Sequence, residues 1–541
     1  MSEGVRAERF RGGELGLARV LERRWFEFGV GGISLVAAAF LLHQLMAWPP
    51  HEDETLALFV GRHPLGEMLE IVLRERGGAP LHFLLAAGVV RLGLGLEGLR
   101  LVSALLAVAA LPLVAALCVR LAGKLPALVA TAVVAPSWLL LFHGVYGRMY
   151  SLFLVTSLLS YLALVVALDR GDRRGWGLWA AAILATIAAH PYGSLVLASQ
   201  GVFVLAARRD RLRQALVAGA VVGVCAVPFW LTNLVLASRF DVGVGGGGAK
   251  LGGPLPVARY LWRTLGDVTA GWWPVTLVAL ALLAGGALRL RRDTAVLAAC
   301  VVGVPATAFV AARLGSATSP ETRHLIFALP FVALALALGL LRLRRLAPVA
   351  LVALAATQVA WGWQKTPALY EGEPEVRREA RVDASRWLAA TSRPDDVLFG
   401  YEPLFLGAWE RNPEFPLPVL PRADAALALS VLRELERPLG RGVWILDSSK
   451  TNNIAPSLSI PERAPEPGPA FEVRAFGPFL VIRTAEPTRT PEHYLLRAAQ
   501  ALLVGKALLI GDADVNLLTV ERAARELRGY GAPRSLSTTS R

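Results

Sequence analysis

Five polar clusters interrupt a chain that is otherwise largely apolar. WPPHEDET places His51, Glu52, Asp53 and Glu54 in a row directly after a long apolar run. Carboxylates so placed can take a proton from an acceptor hydroxyl as a general base, or hold a divalent cation through hard oxygen ligands. A solvated loop start would carry the same residues. GVYGRMYS sets Arg148 between Tyr146 and Tyr150, which suits an interface anchor or a cationic fork matched to phosphate oxygens. In HPYGS, Pro191 and Gly193 bend the chain between two apolar runs and His190 and Tyr192 lie at the bend. SPETRHL brings Glu321, Arg323 and His324 to the start of another run, and Arg100 opens a further one.

These residues must be held by membrane helices. Of 541 residues 55% are hydrophobic and 18% charged, with a mean hydropathy of +0.50. That excludes a soluble multidomain protein and a disordered chain. Runs able to cross ~30 Å of hydrocarbon fall at 28–46, 99–119, 126–142, 149–168, 175–189, 194–207, 214–236, 272–288, 294–312, 323–341 and 346–364. The first ends in Trp48-Pro49-Pro50, without a small-residue cleavage site, and reads as a retained anchor. Residues 80–94 are apolar too, but the stretch is short, opens with Pro80 and carries His82 and Arg91. It suits an interfacial helix. With 80–94 not crossing, the links at 120–124, 169–174, 208–213, 289–293 and 342–345 hold 15 Lys/Arg in 26 residues, against 10 in 107 for the links on the opposite side. This positive-inside asymmetry accounts for much of the +14 net charge without a nucleic-acid partner. It sets the N-terminus inside and all five polar clusters outside.

The expected organisation is a cytoplasmic segment 1–27, a membrane domain 28–364 whose first outer loop is 47–98, and an outer domain 365–541. In the last, charges and prolines return and the elements shorten. The pattern predicts helix 374–391, strand 396–400, helix 422–436, strand 442–447, a hairpin at 470–484 and amphipathic helices near 491–505 and 513–528, an α/β domain. Asp395-Asp396 reads as a turn before a strand. Cys118, Cys225 and Cys300 all lie in apolar runs and offer no disulfide framework. GLGLEG (Gly93–Gly98) follows an apolar helix rather than a strand, so it lacks the context of a dinucleotide fingerprint. GVGGGGAKL (Gly243–Leu251) misplaces the lysine and hydroxyl of a phosphate loop and reads as a flexible outer loop or lid.

In order and spacing these clusters resemble glycosyltransferase family 39, the protein-mannosyltransferase-like group of GT-C membrane enzymes. The resemblance rests on Asp53-Glu54, Pro80-Leu81, Arg100-Leu101, Arg148-x-Tyr150, His190-x-Tyr192-Gly193 and Arg323-x-Leu325. His82 and His324 stand where that group more often carries aromatic residues. The resemblance implies a GT-C fold and inverting transfer of a sugar from a polyprenyl-phosphate-linked donor to a lipid, cell-envelope glycan or protein at the outer face of the cell membrane. It makes Asp53 the base with Glu54 beside it. Arg148, Arg323 and Arg100 are candidates for the donor phosphate, and Tyr150, His190, Tyr192, His324 and His82 for substrate contact. No cofactor is fixed by the sequence, though the first-loop carboxylates can hold a divalent cation. The competing class is a transporter or flippase for a polyprenyl-linked or amphiphilic substrate; such proteins usually carry internal repeats and midplane charges, and neither is evident.

Overall fold

A computed structural model describes residues 4–76, 78–240, 253–314, 322–366, 375–400, 402–417, 419–420, 425–435, 437–448, 471–505, 520, 522 and 524–525. The chain divides into two compact units, Met1–Trp48 with Pro64–Glu371, and Pro49–His63 with Gly372–Arg541.

The first helices are α1 (Gly4–His43), α2 (Glu52–Arg62), α3 (Leu65–Glu70), α4 (Pro80–Arg91), α5 (Leu96–Ala122), α6 (Lys124–Val134) and α7 (Trp138–Val145). Then come α8 (Tyr150–Arg170), α9 (Arg173–Ala189), α10 (Gly193–Ala207), α11 (Leu212–Phe240), α12 (Pro254–Val268), α13 (Trp273–Ala287), α14 (Arg292–Leu314), α15 (Leu329–Leu341) and α16 (Ala347–Lys365). All but α2 belong to the larger unit, whose described secondary-structure elements are all helical. An apolar medium leaves the backbone no partner but itself, so helices are what these Leu- and Ala-rich runs must form.

Every expected run is helical, but not every run is one straight crossing. Among the described residues six helices are long and apolar enough to span, and two bent pairs raise the number to eight. Run 126–142 breaks into α6 and α7 with a 58° bend. Pro136 supplies no N–H there, and the Ser137 hydroxyl accepts the Leu140 N–H at 3.3 Å to start α7 afresh. Run 272–288 is α13, and α12, absent from the expectations, joins it at 85°. Helices α9 and α10 have only 17 and 15 residues. Helix α4, in the interfacial stretch, has 12. Gly93, at φ +72°, turns the chain from α4 to α5, so GLGLEG is a helix–helix link. Residues 243–251 and Glu321 lie outside the described residues.

The smaller unit joins α2 to an α/β fold: α17 (Glu375–Thr391), β1 (Val397–Phe399), α18 (Pro403–Arg411), β2 (Val419–Leu420), α19 (Ala425–Glu434), β3 (Gly442–Asp447), β4 (Phe471–Phe476), β5 (Phe479–Thr484) and α20 (Pro491–Ala499). The sheet runs β2-β1-β3-β5-β4, with β2, β1 and β3 parallel and the hairpin antiparallel. Its core is built on Trp444, Phe399, Leu446, Ile482 and Tyr494, and the Tyr494 hydroxyl donates to the Val397 carbonyl at 3.2 Å. Asp396 is fully buried and takes two 2.8 Å bonds from Arg441, so its carboxylate is structural. Of the expected C-terminal elements, most of 513–528 lies outside the described residues, and α18 was not anticipated.

Candidate active site

The carboxylates of the first loop start a helix. His51 is the N-cap of α2, and its Nδ1 accepts the Asp53 backbone N–H at 3.2 Å. In return the Glu54 carboxylate accepts the His51 N–H at 3.0 Å, which completes a capping box. Glu54 is thereby buried, whereas the Asp53 side chain keeps 29% of its exposure. The Asp53 carboxylate lies 3.3 Å from His51 Nδ1. Three acidic residues in the first turn also match the positive end of the helix dipole.

The far end of α2 is pinned within the same unit. Arg62 lies over the Trp409 ring of α18 at 4.7 Å and over Phe59 at 5.7 Å, and donates to the Pro413 carbonyl at 2.8 Å. Phe59 and Trp409 stand 5.8 Å apart. Burial lowers the Arg62 pKa to about 10, so the guanidinium stays charged at neutral pH.

In the larger unit the second cluster grows from three turns. The first joins α7 to α8. Helix ends leave carbonyls without partners, and here Ser103 of α5 donates to Tyr146 O at 2.8 Å while Ser151 donates to His143 O at 3.1 Å. This fixes the segment that carries Arg148. The second joins α9 to α10: His190 Nδ1 accepts the Tyr192 N–H at 3.1 Å. Only glycine fits next, since a Cβ on Gly193 would stand 2.5 Å from Thr186 O. The third is a 3₁₀ turn, Thr322–Ala328, leading into α15. It is tied at its start by Thr322, which donates to Asp267 of α12 at 2.7 Å, and Asp267 is paired in turn with Lys365 of α16.

The three turns deliver six of the expected residues to one place. Arg148 Nη1 donates to the Tyr150 hydroxyl at 3.3 Å, and that hydroxyl lies 3.4 Å from His324 Nε2. Arg148 and Arg323 both lie over the Tyr150 ring, at 5.5 and 5.4 Å. His190 and Tyr192 stack at 5.2 Å, and each meets His324, at 5.4 and 5.0 Å. Phe153 covers the other side of His190 at 4.6 Å. Burial first, then Arg148 and Arg323, push His190 down to about 3, so it is a neutral hydrogen-bonding ring at working pH. Its Nε2 is buried without a hydrogen-bond partner. Two guanidinium groups among neutral hydrogen-bonding side chains can attract an anion with several oxygens.

No family model matches the sequence, and no curated protein matches it. Solved structures do. The apo crystal structure of ArnT from Cupriavidus metallidurans superposes with a TM-score of 0.54 at 15% identity, over 84% of this chain and 97% of that one. The same protein bound to undecaprenyl phosphate gives 0.52 at 14% identity, with equal coverage. The apo oligosaccharyltransferase of Archaeoglobus fulgidus gives 0.48 at 12% identity, over 79% of this chain and 71% of that one. The fold is of the GT-C type.

On this GT-C scaffold the other candidates take different places. Arg100 is fully buried one layer behind the cluster. It donates to Leu45 O at 3.2 Å and Trp48 O at 3.0 Å and lies over the Trp48 ring, which meets Tyr146 at 4.8 Å. His82 is buried on α4, with its ring 5.8 Å from Phe83. Two participants were not foreseen. His143 is fully buried in α7, 4.8 Å from the Tyr150 ring, with both ring nitrogens lacking a hydrogen-bond partner. Asp267 anchors the turn that presents Arg323. A histidine within the apolar run LLLFHGV was a signal; Asp267 had none beyond its charge. Among the described residues no three His, Cys, Asp or Glu side chains gather to hold a metal ion.

Proposed function

We propose that the protein is an inverting glycosyltransferase that moves a hexosyl or pentosyl group from a polyprenyl-phosphate-linked donor to a lipid, cell-envelope glycan or protein acceptor. The reaction would run at the outer face of the cell membrane, with the N-terminus cytoplasmic and the sheet-containing domain outside. Kinship with glycosyltransferase family 39 is part of the same reading. The observation that carries it is the convergence of Arg148 and Arg323 on Tyr150, in a chain whose fold is of the GT-C type. Undecaprenyl phosphate, to which ArnT is bound in one of its structures, is the kind of lipid phosphate the proposed reaction would release, and it has the charge such a site favours.

In the proposed step the acceptor hydroxyl attacks the anomeric carbon as the bond from that carbon to the phosphate oxygen breaks. Asp53 takes the hydroxyl proton, and polyprenyl phosphate departs with both bonding electrons and one more negative charge. Arg148 and Arg323 stabilise that added charge. Glu54 holds Asp53 in place through the helix cap, and Arg100 supports the wall behind the cluster. Tyr150, His190, Tyr192, His324 and His82 contact the substrate. Incubating the purified protein with a panel of polyprenyl-phosphate sugars tests the reading: one donor should be consumed with release of polyprenyl phosphate. Neither binding nor turnover with any donor overturns it.

A further inference from the structure

Two glycines bring α13 and α15 into backbone contact. A Cβ added at Gly286 would stand 1.8 Å from Ala335 O, and one at Gly339 2.1 Å from Leu282 O. Between this tight pair and α16 lies an apolar groove of about 560 Å³, walled by Val275, Val278 and Leu282 on one side and Ala350, Leu354 and Thr357 on the other. From Pro274 to Gly285 its lining follows α13, a length of roughly 16 Å at ~1.5 Å per residue. That is about the hydrocarbon depth of one leaflet in a core of ~30 Å.

Charge stands at one end only. Arg342 lines the groove there, and its Nη1 donates to Gly285 O at 3.2 Å. One of five guanidinium donors is thus used to fix the group. The adjoining turn carries Arg344 and Arg345, and the link after α13 carries Arg289, Arg291 and Arg292, all exposed. Asp293 is the one acidic residue in these two links. A zwitterionic headgroup would bring its own cation to six arginines, whereas an anionic headgroup meets only attraction.

We propose that this groove binds one anionic phospholipid of the leaflet on its arginine side. An acyl chain lies along α13 and α16, and the phosphate sits on Arg342 with Arg289 and Arg344 beside it. The site is separate from the sugar-transfer residues and does not depend on their chemistry.

Native mass spectrometry of the full chain in detergent, with phosphatidylglycerol and phosphatidylcholine of identical acyl chains offered together, tests this. The wild type should retain one phosphatidylglycerol, with a preference of roughly fivefold for each arginine engaged. Arg342→Gln with Arg344→Gln should reduce that preference towards equality. Ala281→Phe, which sets a ring into the groove, should lose the retained lipid. Equal retention of both lipids overturns the proposal, as does an unchanged preference in the charge variant, stronger retention of added undecaprenyl phosphate, or a second copy of the chain in place of lipid. Should a variant not fold, a photoactivatable phosphatidylglycerol on the wild type decides: labelling must fall in peptides covering 274–285 or 350–357, and labelling confined elsewhere overturns the idea.

Discussion

Arg148 and Arg323 lie over one ring, Tyr150, at 5.5 and 5.4 Å. Two like charges held so close repel each other, and a bound anion relieves both. Arg148→Ala should therefore weaken donor binding and slow transfer by roughly one to three decades, the ~2–4 kcal/mol of a transition-state anion contact. Unchanged turnover and donor affinity would leave Arg148 an anchor only. Asp53 makes a different claim. Asp53→Asn keeps the backbone N–H that His51 accepts and removes only basicity, so the variant should elute like the wild type while its turnover falls by about 10²–10⁴. His190 gives a pH signature. Its folded pKa is about 3, while the unfolded chain titrates it near 6.5. Between these values the unfolded state binds a proton that the folded state refuses, so stability rises with pH across that window. Tm should be lower at pH 4.5 than at pH 7, and His190→Gln should flatten part of that slope.

At the scale of elements, α2 is the part whose position was least legible beforehand. Its start was expected as part of the first outer loop, and the capping box formed by His51 and Glu54, three positions apart, emerges only in the structure. Its attachment could not be read, because Arg62 and Trp409 are 347 positions apart and each is unremarkable in its own neighbourhood. A cation–π contact of this kind is worth ~1 kcal/mol. Trp409→Ala should therefore raise amide hydrogen exchange across residues 52–62 by about fivefold and lower turnover with it, and Trp409→Phe should restore most of both. Unaltered exchange in Trp409→Ala would show that other contacts hold the helix. The bent pairs were likewise hidden: a 17-residue apolar run satisfies a hydropathy criterion whether or not Pro136 and Ser137 break it. Helix α12 escaped because its polar face breaks up apolarity, whereas β3 and the β4–β5 hairpin were legible as short β-branched and aromatic runs.

For the molecule as a whole, composition announced a multi-pass helical membrane protein and the pattern of residues 365–541 added a C-terminal α/β domain, and the GT-C fold agrees with both. Sidedness rests on the arginine asymmetry of the links. A cysteine placed at exposed Glu414 should react with a membrane-impermeant maleimide in intact cells; reaction only after permeabilisation would invert the topology. Helix α10 adds a consequence for the lipid itself. Its 15 residues measure about 22 Å at ~1.5 Å each, some way short of a ~30 Å hydrocarbon core. In the proposed topology α10 crosses the membrane, so there the bilayer would dip to meet the turn holding His190 and Tyr192, or that turn would sit below the level of the surrounding phosphates. In either case a long-tailed substrate need lift its headgroup less far out of oil to reach Arg148 and Arg323. Turnover should then respond to membrane thickness, rising in vesicles of shorter acyl chains and falling as the chains lengthen.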